Sequence, residues 1–79
     1  MFLYTLSVVH LVTNETVTLK FRTLFAAIVM AQDFAMSNSN RRAYVVDCTT
    51  GELMYEHENG RTTYVATSSV DNIITEVRA

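Results

Sequence analysis

Residues 24–37 read LFAAIVMAQDFAMS, and this stretch sets the architecture of the chain. It predicts a helix of roughly four turns. At helical spacing Leu24, Ala27, Ile28, Ala31, Phe34 and Ala35 make one broad apolar stripe. Ala27, Ala31 and Ala35 recur at every fourth position, so the helix can approach a sheet closely along that line. Phe25, Val29 and Met36 form a second apolar stripe on a different side, and Asp33 is the only charge between 24 and 37. A helix apolar around most of its circumference is covered on more than one side. The second stripe is therefore a candidate interface. Its cover comes from the C-terminal helix, from a sheet edge, or from another copy of the chain.

Working back from this helix, Thr23 has the chemistry of an N-cap. Residues 16–22 alternate, with Val17, Leu19 and Phe21 against Thr16, Thr18, Lys20 and Arg22, as in a strand with one wet face. Thr13-Asn14-Glu15 reads as a turn. Residues 2–12 read as a strand that is apolar on both faces, which places it centrally in a sheet.

Working forward, residues 38–40 end the helix with polar side chains that compete for the backbone. Residues 42–48, 52–57 and 61–67 read as three more strands. Thr49-Thr50-Gly51 turns between the first two. Asn59-Gly60 turns between the last two and suits a type I′ hairpin. Ser68 to Asp71 resembles a capping box. Val70, Ile73, Ile74 and Val77 then follow at i, i+3, i+4 and i+7, the pattern of a short amphipathic helix docked by its apolar side.

The order is β-β-α-β-β-β-α. Placing the first strand between the second and third makes every pairing antiparallel and gives the first strand two neighbours. The expected fold is α+β: one domain over residues 1–79, with two layers and a mainly antiparallel five-stranded sheet. The sheet order is 2-1-3-4-5, with the long helix across one face and a short C-terminal helix.

Composition limits the setting. The 79 residues carry a formal charge of −2, are 49% hydrophobic and only 18% charged, and contain one Cys. That is too apolar for a disordered chain, and one Cys builds neither a disulfide framework nor a zinc thiolate cluster. No apolar run approaches the roughly 20 residues of a membrane-spanning helix. The apolar residues 1–12 lack a basic start and a small-residue cleavage site, so they belong to the fold rather than to a signal peptide. Asn14-Glu15-Thr16 matches a glycosylation pattern but has no secretory context. A cytoplasmic setting, with no membrane association, is expected. A domain of about 60 residues buries only about 60% of its unfolded surface, and this chain is little longer. Self-association is a natural source of further burial.

Few residues carry chemistry. Cys48 needs a base to act as a nucleophile. His57 lies five residues beyond its hairpin neighbour, roughly 16 Å away at strand spacing. His10 stays open as a partner. The plainer reading of Cys48 is a buried, inert thiol near a turn. His10 and His57 have carboxylates such as Asp47, Glu56 and Glu58 nearby in sequence, but no metal-ligand spacing. His57 points away from both of its acidic neighbours. Both glycines are committed to turns, so no phosphate loop is present. No cofactor, metal or enzymatic activity is expected.

Asp47, Glu52, Glu56 and Glu58 cluster on the hairpin of strands three and four, as either a solvated face or a surface for a basic partner protein. Arg41 and Arg42 follow the long helix and offer local phosphate contacts, with Tyr44, Tyr55 and Tyr64 available to stack on bases or to pack across strands. The negative charge and the roughly 22 Å of helix between these arginines and Lys20 and Arg22 count against nucleic acid. The expectation is a small non-enzymatic interaction domain that forms a homo-oligomer, a dimer first, through Phe25, Val29 and Met36. A nucleic-acid-binding regulator using Arg41 and Arg42 is the alternative. By size and fold class alone, such a domain fits an accessory or regulatory protein of a bacterium or phage.

Overall fold

Five strands form one sheet in the order β2-β1-β3-β4-β5, and every neighbouring pair is antiparallel. In this computed structural model, residues 2–36 and 40–78 are described. The elements are β1 (Tyr4–His10), β2 (Thr16–Phe21), α1 (Leu24–Met36), β3 (Arg41–Asp47), β4 (Leu53–Glu58), β5 (Arg61–Val65) and α2 (Thr67–Arg78). Topology and element order match the sequence reading. The polar positions 38 and 39, expected to end α1, lie outside the described residues. β1 is shorter than expected, because residues 11–13 already turn toward β2. The Asn14 amide closes that turn on the His10 carbonyl at 2.7 Å.

Side-chain alternation sorts the sheet into two faces. Tyr4, Leu6 and Val8 of β1, Ala43 and Val45 of β3, and Tyr55 of β4 are buried on one face. The registers Leu6↔Val45, Val8↔Ala43 and Val45↔Tyr55 set these residues side by side. α1 lies over this face with Leu24, Ala27, Ile28, Ala31 and Ala35 buried, the first stripe read from the sequence. Phe34 of that stripe sits at its margin and is half-buried. The other face carries Thr5, Ser7, Val9, Arg42, Tyr44 and Glu56, none of them buried.

Two turns depend on left-handed backbone. Asn59 and Gly60 have φ of 54° and 78°, as a type I′ hairpin between paired Glu58 and Arg61 requires. Gly51 turns β3 into β4 with φ of 76°. The register then slips between Val45 and Val46, leaving Met54 as the extra residue on β4. Met54 is nonetheless buried, and its carbonyl is available to the C-terminal segment.

α2 differs from expectation in its start and in the side it presents. It begins at Thr67, and the Ser68 hydroxyl donates to Glu52 Oε2 at 3.0 Å instead of capping its own helix. The inward side is Ser69, Asn72, Ile73 and Glu76, all buried or half-buried. Val70, Ile74 and Val77 are 52%, 44% and 67% exposed. Only Ile73 of the four expected apolar anchors packs on the core.

The reason lies in what the body offers α2. Ser69 Oγ donates to the Met54 carbonyl at 2.7 Å, and the Ala66 amide donates to the same oxygen at 3.0 Å. At the far end, the Glu76 carboxylate accepts from the Leu24 amide at 2.8 Å and the Phe25 amide at 2.9 Å. These are orphan donors at the N-terminus of α1, where a negative charge also meets the helix dipole favourably. Thr23 Oγ1 takes the next one, from Ala26, at 3.2 Å, which confirms it as the cap. Unpaired backbone groups at this end of the core demand polar partners, and α2 turns its polar side inward to supply them.

Candidate interaction surface

The α1 positions 25, 29, 32 and 36 share one flank of the helix. The Gln32 amide nitrogen donates to the Tyr55 hydroxyl at 3.1 Å, so this flank overlooks β4. Phe25 and Val29 on it are 50% and 48% exposed. Met36 ends α1, and its side chain lies outside the described residues. α2 does not cover the flank; it crosses from Met54 to the start of α1 and leaves its own Val70, Ile74 and Val77 in water. Val65, at the end of the fully exposed strand β5, is 45% exposed. The outer side of α1 also bears a shallow depression of about 230 Å³, lined by Val29, Met30, Gln32 and Asp33.

A polar network lies under this flank. The Tyr55 hydroxyl is 2.8 Å from Thr62 Oγ1 and 3.0 Å from His57 Nδ1. His57 is 4% exposed, and its Nε2 has no hydrogen-bond partner among the described residues. One buried unpaired nitrogen costs about 1–3 kcal/mol. As the sequence pattern requires, His57 points to the core while Glu56 and Glu58 occupy the other face.

The remaining candidates disperse. Cys48 is exposed, not buried as expected: it follows the end of β3 on the helix-free side of the sheet, and its Sγ is 2.9 Å from Thr5 Oγ1. Its amide donates to the Leu3 carbonyl, which puts His10 seven residues away along β1, roughly 23 Å. No Cys–His dyad forms. The His10 imidazole accepts from the Thr13 amide at 3.3 Å, and with Glu15, Arg41 and Phe34 it borders a pocket of about 150 Å³ over β1 and β2. No group of three His, Cys, Asp or Glu side chains converges among the described residues.

Of the four acidic residues, Glu56 and Glu58 share the helix-free face, while Asp47 and Glu52 are engaged around the β3–β4 turn. Asp47 Oδ1 accepts from the Thr49 and Thr50 amides and holds the turn. Glu52 is taken by Ser68. Glu56 receives Arg42, with Nε at 3.0 Å, and also the Thr63 hydroxyl at 2.8 Å. These hydrogen bonds, the one from Arg42 first, hold the Glu56 carboxyl below the usual glutamate range and raise the Arg42 guanidinium above its own. Burial first, then Glu76 and Asp47, raises the Tyr4 phenol.

Arg41 and Arg42 are separated as well. They open β3 rather than lying in a loop, and consecutive strand residues point to opposite faces. Arg42 stacks over Tyr44, 5.2 Å from the ring centre. Tyr44 and Tyr64 flank Glu56 on the helix-free face, whereas Tyr55 is buried.

The molecule is thus a two-layer α+β sandwich with apolar side chains left in water on both helices. No helix among the described residues is long and apolar enough to cross a membrane. No family model, curated protein or solved structure matches the chain.

The sequence reading missed the clamp made by Glu76 and the outward side of α2. The spacing of Val70, Ile74 and Val77 was a visible signal of an apolar stripe. The unpaired amides of Leu24 and Phe25, which decide where that stripe points, belong to a distant part of the chain.

Proposed function

We propose that this chain is a small, non-enzymatic protein-interaction domain with an accessory or regulatory role, and that it self-associates as a dimer. The α1 flank of Phe25, Val29 and Met36 is its interface. The observation that carries this reading is the half exposure of Phe25 and Val29 on a helix whose only charge is Asp33. The C-terminal helix, which was free to cover them, is held at the end of α1 by Glu76 instead. Exposed apolar patches of this kind mark interaction sites. Nucleic acid draws less support, because Arg41 and Arg42 point to opposite faces and Arg42 is neutralised by Glu56.

Val29→Glu tests the proposal. The side chain is in water, so the variant keeps its secondary structure, and its circular dichroism spectrum should match that of the parent. Its dimer should be lost in size-exclusion chromatography with light scattering. A Val29→Glu protein with the same dimeric mass as the parent removes this flank as the interface.

A further inference from the structure

The two exposed helical stripes have the same spacing and opposite charge at one end. Phe25, Val29 and Asp33 recur at i, i+4 and i+8 on α1, and Val70, Ile74 and Arg78 recur at i, i+4 and i+8 on α2. All six are exposed. Asp33 and Arg78 make no ion pair among the described residues. Their helices hold them apart within one chain. Glu76 fixes the C-terminal end of α2 at Leu24 and Phe25, whereas Asp33 lies nine residues further along α1, roughly 13 Å away.

We infer that the occupant of the α1 flank is α2 of a second copy of this chain, packed parallel to it, with Phe25 beside Val70, Val29 beside Ile74 and Asp33 beside Arg78. This rests on the self-association reading and specifies its geometry. Each copy carries both halves of the contact, so a two-fold axis forms it twice and closes the assembly as a dimer. Pairing α1 with α1 in parallel register sets Asp33 against itself, and pairing α2 with α2 likewise opposes Arg78. Only the crossed arrangement matches apolar to apolar and acid to base along the whole stripe. Charge complementarity at the rim fixes register and partner choice, while the apolar positions supply affinity.

The test is a charge exchange read by the dimer dissociation constant. Asp33→Arg and Arg78→Asp should each raise it by about tenfold or more, because each creates two like-charge contacts per dimer. Mixing the two variants should restore near-parental affinity as a heterodimer. The two substituted side chains then face each other at one site with their charges exchanged, and the native Asp33 faces the native Arg78 at the other. Ile74→Glu should abolish the dimer as Val29→Glu does, with both spectra unchanged. A parental dimer that is broken by Val29→Glu, but is indifferent to Ile74→Glu and to the charge exchange, overturns the α1–α2 pairing and leaves the α1 interface standing. A parent that stays monomeric overturns both.

Discussion

The two helices of this domain dock by opposite rules. α1 buries an apolar stripe against the sheet, with Leu24, Ala27, Ala31 and Ala35 wholly inaccessible. α2 docks by Ser69, Asn72, Ile73 and Glu76, and leaves Val70, Ile74 and Val77 in water. The difference follows from what each helix meets. α1 meets a sheet face whose backbone groups are already paired, so only apolar contact is to be gained. α2 meets the freed Met54 carbonyl and the unpaired amides of Leu24 and Phe25, where polar partners are worth more than methyl groups. A helical apolar stripe therefore states that some surface will be covered. It does not state that the surface belongs to the same chain.

Truncating the buried stripe should have the largest effect on stability. Leu24→Ala removes a fully buried side chain and should cost about 2–5 kcal/mol in denaturant unfolding. Ile74→Ala, on the outward stripe of α2, should change the stability of the monomer by no more than about 0.5 kcal/mol. Comparable losses at the two sites would mean that α2 docks by its apolar side after all.

The polar clamp comes next. Glu76→Ala leaves the Leu24 and Phe25 amides without their acceptors and should destabilise the fold by about 1–3 kcal/mol, with Glu76→Gln losing less. Hydrogen exchange at Leu24 and Phe25 should rise in the Ala variant. Unchanged exchange would show that α2 contributes nothing to the α1 terminus.

A smaller loss than that of the clamp belongs to the helix-free face of the sheet. Glu56 has a lowered folded value, so its contribution is complete above the ordinary glutamate value and is lost as pH falls through the folded one. Arg42 is partly exposed, which limits the pair to under about 1 kcal/mol. Glu56→Gln should lower neutral-pH stability slightly and flatten the acid limb of the stability curve below the ordinary glutamate range. An acid limb as steep as the parent's would assign it to other carboxylates.

Much of the architecture was legible because local pattern and global fold agree. The alternation in residues 16–22, the Asn59-Gly60 turn and the alanine line of α1 each carry their own physical cause, and each stands in the structure. The strand ends were less legible, since the turn after His10 uses apolar residues Leu11 and Val12. Cys48 read as buried because Cys usually is, but it lies just past β3 and in step with Arg42 and Tyr44, on the side of the sheet that no helix covers. The acidic residues 47, 52, 56 and 58 looked like one face because they are near in sequence; only Glu56 and Glu58 share one, while Asp47 and Glu52 are taken up by Thr49 and Ser68 around the turn. At the candidate interface, the exposure of Phe25 and Val29 was anticipated from the lack of charge on α1. That of Val70, Ile74 and Val77 was not, because it is set by contacts some fifty residues away along the chain, between Glu76 and the start of α1.

Self-association is tested most directly by the solution mass of the parent protein, measured by light scattering over a wide range of concentration. Self-association through the exposed helical surface predicts a mass approaching twice the 8.9 kDa of one chain as concentration rises. A mass that stays at 8.9 kDa throughout contradicts it.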